Sequence, residues 1–430
     1  MVNIISSILI WTAAAILLLR VLYKSGLQFN TKSPLVSGIL KDTASGGSFC
    51  AGKKETLTVF GVSFIFRIIV LVISVFAIFI VKDSEFSLSE FLNSYLQWDA
   101  NNYYRIAKGG YSYHTENGMF TTLAFFPLYP WLVRVVGILT GNLVVSGVLT
   151  SCLLYSGACA YMYKLLSYDY EKQTAIRAIV YISVFPHSLF FGTMMNESML
   201  FFTMAATLYY IRRHDWVRTG IFGALAALSR MVGILLAVPA AVEWLEHYRI
   251  IEKLKNKSYK EICSLFFKKG IWIFLMLLGT GIYLFCNYKT TGEWFKFLEY
   301  QKEIWHNGAV YFGKGISLIT DNAIANNEFT KFALWLPELI SVVFVIVMLI
   351  YGLRSTQSMY TVFLLVYIII NTGFEWPISI ARYMCCALPA FVILSDFSQK
   401  HKWTEPVITA SMAIAMGVFL TAYFMSRQIL

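Results

Sequence analysis

The sequence passes from a long apolar segment, TLTVFGVSFIFRIIVLVISVFAIFIV (Thr56–Val81), into the aromatic stretch QWDANNYYRIAKGGYSYH (Gln97–His114). The apolar segment is long enough to cross a bilayer as a helix. The aromatic stretch places the carboxylate of Asp99 beside tryptophan and tyrosine side chains at the edge of that span. Because a carboxylate in such a setting is costly unless it has a function, we take Asp99 as the centre of the candidate site.

Composition extends this interpretation to the whole chain. The 430 residues are 58% hydrophobic and 14% charged, whereas average soluble domains carry about 25% charged residues. The mean hydropathy is +0.63, and apolar runs of about 20 residues recur from end to end, as in polytopic helical membrane proteins. These runs do not alternate as the strands of a membrane barrel would. We therefore expect an all-α integral membrane protein surrounded by a lipid bilayer.

Net charge and cysteine usage exclude two other classes. The net charge of +11 does not indicate a nucleic-acid partner, because basic residues concentrate in the cytoplasmic loops of membrane proteins. No signature of a nucleic-acid-binding fold accompanies the charge. The seven cysteines have neither metal-site nor disulfide spacing.

The apolar pattern predicts about ten spanning helices. One more apolar segment, Phe120–Leu139, contains Pro127, Pro130 and Arg134, and it fits an external amphipathic helix on the membrane surface better than a span. The predicted spans are Ile4–Leu22, Thr56–Val81, Leu143–Leu166, Thr174–Thr193, Ser198–Ile211, Gly270–Asn287, Leu334–Gly352, Met359–Thr372, Met384–Leu394 and Pro406–Phe424.

The segment Thr219–Val242 predicts a re-entrant helical hairpin. It is long enough to span once, but Ser229 and Arg230 interrupt it near the middle. Basic residues flank it on both sides, at Arg212 and in Arg249–Lys269, and basic flanks favour the cytoplasm. Two half-helices that enter and leave the membrane on the cytoplasmic side would place both basic flanks there, with Arg230 near the tip of the hairpin.

The same charge rule orients the chain. Lysine and arginine are most frequent on the side that holds the loop after the first helix, so that loop is cytoplasmic and the N-terminus external. We divide the chain into an extra N-terminal helix and cytoplasmic loop (1–55) and a transmembrane catalytic domain (56–430). That domain carries an external catalytic loop (83–140) and an external acceptor-side loop (288–333). The length and aromatic content of the second loop indicate a function, and we expect it to contribute the acceptor groove.

Four ionisable residues are predicted on the external side: Asp99, Glu197, Arg230 and Arg382. Arginine binds phosphate through paired hydrogen bonds, and one carboxylate can act as general base toward a hydroxyl. Together these groups suit the transfer of a group from a lipid phosphate, because a polyprenyl phosphate leaves without protonation at neutral pH.

Each position also has a structural alternative. Asp99 could form an ion pair with Arg105, and Arg382 could be a cation whose side chain extends to the membrane interface. Glu197 could be only a helix N-terminal charge. Arg230 could be only a structural partner of Glu197, although an ionisable residue at membrane depth indicates a function by default.

Successive motifs resemble those of the PIG-V-like mannosyltransferases, membrane enzymes of the GT-C fold that use dolichol- or polyprenol-phosphate sugars. Their order and spacing match over residues 55–395, and the most specific part is Trp-Asp-x5-Arg-Ile-Ala. The motifs are QWDANNYYRIAKGGY (Gln97–Tyr111), AFFPLYPWLVRVVG (Ala124–Gly137), FPHSLFFGTMMNESMLFF (Phe185–Phe202) and GIFGALAALSRMVGILLAVPAAVEWL (Gly220–Leu245).

The resemblance implies a GT-C fold with Asp99 as the catalytic acid/base. It places Glu197 at the acidic position after the Phe-Pro motif and Arg230 at the basic position of Leu-Ser-Arg. Arg382 and Tyr383 match an Arg-Tyr pair near the C-terminal spans. We therefore expect a polyprenyl-phosphate-dependent glycosyltransferase that transfers a hexose, with mannose favoured, to a glycan or glycolipid acceptor with inversion.

In this hypothesis Asp99 deprotonates the acceptor hydroxyl, arginines hold the donor phosphate, and neighbouring side chains support the substrates. No cofactor is expected, except that Asp99 and Glu197 could share a divalent cation. The arginines are Arg230, Arg382 and Arg105, and the supporting residues are Trp98, Tyr104, Glu197, Tyr383 and Trp305.

A bacterial cell membrane is the preferred location, with the active site on its external face. The lumenal face of the endoplasmic reticulum would be the equivalent in a eukaryote. The competing class is a non-enzymatic transporter or flippase of a lipid-linked saccharide. Inverted repeats would favour that class, and none is visible in the sequence.

Overall fold

The structure is a computed structural model that describes residues 1–28, 48–82, 87–116, 118–306, 308–325, 328–425, 427 and 429. These residues form helices, with only two isolated β-bridges among them. Most of the first predicted cytoplasmic loop (29–47) and the start of the external loop (83–86) lie outside the described residues. The predicted all-α membrane fold is confirmed.

The helices follow one another with short connections, and 3-10 or π turns precede several of them. In chain order they are α1 (Val2–Lys24), α2 (Lys53–Lys82), α3 (Leu88–Asn93), α4 (Asp99–Gly109), α5 (Leu128–Thr140), α6 (Leu143–Leu166), α7 (Lys172–Val184), α8 (Glu197–Arg212), α9 (Trp216–Ser229), α10 (Ala237–His247), α11 (Ile250–Lys255), α12 (Tyr259–Lys268), α13 (Met276–Thr291), α14 (Lys296–Trp305), α15 (Phe312–Ala325), α16 (Glu328–Thr330), α17 (Leu336–Ser355), α18 (Ser358–Asn371), α19 (Ile380–Met384), α20 (Leu388–Lys400) and α21 (Thr404–Phe424).

Six of the described helices are long and apolar enough to cross a membrane, or seven if a bent pair counts as one span. By length and composition, six or seven of the ten predicted spans are therefore confirmed in the described residues. The difference comes from helices that are apolar but short: α8 has 16 residues, α18 has 14 and α20 has 13. Their side chains are largely buried within the bundle, which explains why they look like membrane spans in the sequence.

The predicted span over Thr174–Thr193 is bent, and it counts as a span only if the two helices of the bent pair are taken together. Helix α7 ends at Val184, and the 3-10 turn Pro186–Gly192 leaves it at an angle of 85°. Proline cannot donate the backbone hydrogen bond that would continue the helix. The buried Arg67 of α2 supports this break, because its Nη1 donates to the carbonyl of Ser188 at 2.8 Å.

The predicted hairpin is present as two antiparallel arms. Helix α9 ends at Ser229, Arg230 is extended (φ −163°), and the 3-10 turn Met231–Leu236 leads into α10. Gly233 packs on the backbone of the first arm, where a Cβ would lie 2.1 Å from the carbonyl carbon of Ala226. At the open end the indole Nε1 of Trp216 donates to the Tyr248 hydroxyl at 3.0 Å. Both arms therefore start and finish at one end of the bundle, with Arg230 at the other.

Two external segments differ from expectation in detail. The residues between Lys289 and Lys331 are not an extended loop, because α14 and α15 occupy most of them. The amphipathic helix expected over Phe120–Leu139 begins only at Leu128, after a 3-10 turn. It buries Tyr129 and Val133 and exposes Ile138 and Leu139, as a helix lying against lipid would.

Segments that were predicted on opposite sides of the membrane lie at opposite ends of the bundle. Near its start, α1 meets the α15 region, where the Trp11 indole donates to the Tyr311 hydroxyl at 2.9 Å. It ends at Lys24, which is 3.6 Å from Glu246 beside the basic α11–α12 region. The extra N-terminal helix is thus packed into the same bundle as the rest of the chain.

Candidate active site

The four predicted ionisable residues form one continuous chain of charges. Arg382 Nη2 lies 2.5 Å from Asp99 Oδ2, and Arg382 Nε lies 3.1 Å from Glu197 Oε1, without the alignment of a hydrogen bond. Arg230 Nη1 lies 3.3 Å from the same Glu197 oxygen. The order is therefore Asp99, Arg382, Glu197, Arg230, and the two carboxylates balance the two guanidinium groups.

Exposure differs between the ends and the middle of this chain. The side chains of Arg382 and Glu197 are 3% and 2% exposed, whereas those of Asp99 and Arg230 are 25% and 20% exposed. A buried ion pair needs good geometry to offset the loss of water. The middle pair therefore serves as a fixed internal support, and the two outer groups are the ones that a ligand can reach.

Both carboxylates lie at the N-termini of helices. Asp99 is the first residue of α4, and Glu197 is the first residue of α8, where the helix dipole favours a negative charge. Trp98 precedes α4 with a positive φ of 45°, and its ring meets that of Tyr423 edge-on at 5.3 Å. This contact ties the start of α4 to α21.

The two arginines are placed by breaks in the helical structure. Arg230 occupies the extended position between the hairpin arms, and its guanidinium carbon lies 3.7 Å from the ring centroid of Tyr383. Such stacking on an aromatic face fixes the orientation of a guanidinium group. Arg382 lies on the five-residue α19, which ends where the predicted span Met384–Leu394 begins.

A cavity of about 200 Å³ opens beside Asp99 and Arg230. Its walls come from the hairpin tip, from α14 and from the segment that leads into α19. The lining residues beyond the two charged ones are Tyr103, Ala124, Phe125, Phe126, Ser229, Met231, Val232, Phe297, Leu298, Gln301, Trp305, Asn371, Phe374, Trp376, Pro377, Ile378 and Tyr383. The cavity thus joins two charged groups of opposite sign to an apolar and aromatic surface.

Five of the predicted site residues do not line this cavity. Two of them, Arg382 and Glu197, form the buried middle of the charge chain. Arg105 turns to the surface, where its Nη1 lies 3.1 Å from Glu116 Oε1. Tyr104 contacts Lys108, with the ammonium 5.9 Å from its ring centroid. Trp98 lies behind Asp99 against α21. The cavity therefore contains only one of the three arginines that were predicted to hold phosphate, namely Arg230.

The structure also decides between the alternatives for these charges. The ion pair of Asp99 with Arg105 is wrong, because Arg105 pairs with Glu116 and Asp99 with Arg382. A hydrogen bond from His114, and a weaker one from Arg105, lower the pKa of the Glu116 carboxyl. Arg382 does not extend to the membrane interface, since its side chain is buried. The ion pair of Arg230 with Glu197 is present.

A shared divalent cation does not fit the two carboxylates as they are arranged. The guanidinium group of Arg382 lies between Asp99 and Glu197 and contacts both. Among the described residues there is no group of three or more metal-ligating acidic, histidine or cysteine side chains. The two carboxylates are therefore organised around an arginine.

Several cavity residues were missed in the sequence. Tyr103 was visible beside Tyr104, but only the helical register of α4 directs Tyr103 inward. Asn371 is the last residue of α18, and Trp376 lies in the connection to α19. No local pattern separates them from an ordinary interface belt. Gln301 comes close to Trp305 because α14 is a helix where a loop was expected.

The described helices define a polytopic integral membrane protein. The profile of the family described as dolichyl-phosphate-mannose-protein mannosyltransferase matches residues 126–282, which is less than half of the chain. No curated protein matches the sequence significantly.

Among solved structures, the chain is similar to the crystal structure of ArnT from Cupriavidus metallidurans bound to undecaprenyl phosphate. The TM-score is 0.51 at 14% sequence identity, over 84% of this chain and 65% of that one. The chain therefore spans just under two thirds of the length of that protein. At this level of identity the similarity concerns the fold.

Proposed function

We propose that this protein is a membrane glycosyltransferase that moves a hexose from a polyprenyl-phosphate donor to the hydroxyl of a glycan or glycolipid acceptor. The observation that carries the proposal is the position of Asp99 and Arg230 on one cavity, at the two ends of a buried chain of charges. One end supplies a carboxylate that can accept a proton, and the other supplies a guanidinium group that can bind a phosphate. The matched family and the ArnT structure both concern lipid-phosphate chemistry by their descriptions.

The reaction would be a single displacement with inversion. The acceptor oxygen forms a bond to the anomeric carbon, and the bond from that carbon to the phosphate oxygen breaks. The polyprenyl phosphate leaves with the bonding electron pair, and the acceptor proton moves to Asp99. Arg382 holds Oδ2 of Asp99. Within the described residues no hydrogen bond engages Oδ1, which leaves that oxygen for the acceptor.

The two arginines have different tasks in this proposal. Arg230 lines the cavity and keeps an exposed face, so it meets the donor phosphate. Arg382 is buried between the carboxylates and orients Asp99 instead of touching the donor. The prenyl chain would leave the cavity over its apolar wall, where Met231, Val232 and Ile378 lie. Arg105 has no direct role, because it lies outside the cavity and pairs with Glu116.

The aromatic wall suits a sugar acceptor. Trp305 and Trp376 both line the cavity, and each is held edge-on by another ring, Phe125 at 5.7 Å and Trp335 at 5.9 Å. A few polar groups set in an aromatic wall are typical of small-ligand sites. Mannose is the favoured sugar, on the strength of the motif resemblance. The external face of a bacterial cell membrane is the favoured location, on the strength of the charge pattern.

A donor-exchange assay tests this proposal. Purified protein and acceptor should give no product with a nucleotide sugar alone, and addition of the matching polyprenyl-phosphate sugar should start transfer. The chain offers no βαβ unit that could hold a nucleotide among its described helices. Efficient transfer from the nucleotide sugar without a lipid carrier would contradict the proposed function.

The flippase alternative predicts a different result in reconstituted vesicles. A flippase would move a fluorescent lipid-linked saccharide across the bilayer without forming a new glycosidic bond. The enzyme should form the bond, and release of polyprenyl phosphate should match product formation one to one.

A further inference from the structure

Glu338 is a buried carboxylate that has no part in the proposed chemistry. It lies in α17, and the residue is 2% exposed. Its Oε1 accepts the backbone N–H of Ser379 at 2.7 Å, and its Oε2 accepts that of Ala381 at 2.5 Å. In the described part of the chain no cation forms an ion pair with it. Backbone donors therefore satisfy both oxygens of a polar group that would be costly to bury without partners.

The turn that Glu338 holds is conformationally unusual. Ser379 has a positive φ of 72°, which is uncommon for a residue other than glycine. A backbone in this region persists only when its surroundings hold it there. The two oxygen atoms of Glu338 bind on both sides of Ile380, at the start of α19.

This turn connects the cavity wall to α19, the helix that carries Arg382. Phe374, Trp376 and Ile378 line the cavity just before the turn. Arg382 and Tyr383 follow just after it, the first contacting Asp99 and the second stacking under Arg230. The far end of α19 is held separately, because the Tyr367 hydroxyl donates to the carbonyl of Tyr383 at 2.9 Å.

We infer that Glu338 is a positioning residue that sets the orientation of Arg382 toward Asp99, and so controls turnover without touching substrate. The inference rests on the proposed function for its consequences in catalysis. A carboxylate suits this task because its two oxygens accept two N–H groups at once. Glutamine would offer one acceptor and turn an N–H₂ group toward the other donor, which leaves that backbone group unsatisfied.

Kinetics provide the first test. In Glu338→Gln we expect kcat to fall by about 10²-fold, the cost of a misplacement of about 1 Å at a reacting group, with a smaller change in the donor KM. Glu338→Asp, which keeps both oxygens, should recover part of the loss. Glu246→Gln is the matched control, because its side chain is 10% exposed and lies at the opposite end of the bundle. An unchanged kcat in Glu338→Gln, or an equal fall in Glu246→Gln, would overturn the inference.

A double-mutant cycle separates positioning from general destabilisation. If Glu338 acts through Arg382, then Glu338→Gln should have little further effect on kcat in an Arg382→Lys background. Fully additive losses would show that the two residues act independently and would overturn the inference.

Hydrogen–deuterium exchange gives a readout that does not require activity. Peptides that cover residues 378–384 should exchange faster in Glu338→Gln, while peptides from Leu143–Leu166 should not change. If the wild-type protein gives no transfer from any lipid donor, the proposed function fails, and this experiment still decides the role of Glu338. Unchanged exchange over 378–384 would overturn the positioning role.

Discussion

At the scale of single residues, the site depends on which groups are buried and which remain accessible. Asp99 and Arg230 lie at opposite ends of one charge chain, and each keeps a face toward the cavity. Arg382 and Glu197 are likewise an arginine and a carboxylate, but they are enclosed between the other two. Similar side chains therefore differ in whether a ligand can reach them, because their exposure differs.

Asp99→Asn should abolish transfer and leave the protein folded. The amide cannot accept the acceptor proton, and loss of a general base costs about 10²- to 10⁴-fold. The measurement is product formation per folded protein, with folding checked by size-exclusion chromatography. Glu116→Gln is a suitable control, because this carboxylate lies on the surface with Arg105. Near-wild-type turnover by Asp99→Asn would remove Asp99 from the mechanism.

Arg230→Ala should raise the donor KM more than Arg230→Lys does. Lysine keeps a positive charge but loses the planar fork that binds two phosphate oxygens. Tyr383→Phe should behave like wild type, since it keeps the ring under the guanidinium group, whereas Tyr383→Leu removes the ring. Donor titration at saturating acceptor measures these effects. Equal KM values for the alanine and lysine variants would argue against phosphate binding by Arg230.

At the scale of elements, breaks in helices create the site. The hairpin carries Arg230 at its tip, the 85° bend after α7 leads to Glu197, and the turn at Ser379 leads to Arg382. A continuous helix would direct none of these side chains to the same place. These breaks therefore bring the charged residues of the candidate site together.

The hairpin makes a specific prediction about accessibility. Cysteines placed at Arg218 and Lys255, on its two flanks, should react with an impermeant thiol reagent from the same side of the membrane. A cysteine at Ser112, which follows α4, should react only from the other side. The native exposed cysteines, Cys50 and Cys263, are first replaced by serine. Labelling of the two flanks from opposite sides would refute the re-entrant arrangement.

At the scale of the whole molecule, a second buried charge cluster closes the bundle at the end away from the cavity. Arg212 binds Asp169 at 2.6 Å and Glu243 at 3.1 Å, and both carboxylates are buried. These residues belong to α8, to the turn before α7 and to the second hairpin arm. The cluster therefore connects the base of the hairpin to the rest of the bundle, while its tip carries Arg230.

Arg212→Ala should destabilise the protein by roughly 3–5 kcal/mol, because it leaves the buried Asp169 without its cation and leaves Glu243 with only His214. The midpoint of thermal unfolding in detergent is the measurement. The control is Arg218→Ala, whose exposed pair with Asp215 should contribute at most about 1 kcal/mol. An equal loss in both variants would mean that the Arg212 cluster does not hold the bundle together.

The sequence alone was enough for the class of fold and for the identity of the charged residues. Apolar runs must avoid water, so they predicted helices in a membrane. Interruptions by charge or proline predicted the hairpin around Arg230 and the surface helix before Gly141. Asp99, Glu197, Arg230 and Arg382 stand out because ionisable groups in such surroundings are costly. These signals are local and are visible without any contact between distant segments.

Only the tertiary structure decided how these residues pair and which of them face the cavity. Asp99 and Arg382 are 283 positions apart, and no local pattern relates them. Arg105 is six residues from Asp99 on the same helix, yet it pairs elsewhere. No sequence pattern singles out Glu338, since its proposed role depends on two backbone N–H groups from another segment. Periodicity and composition determine where a chain is buried, whereas the partners of a buried charge depend on packing between elements distant in the sequence.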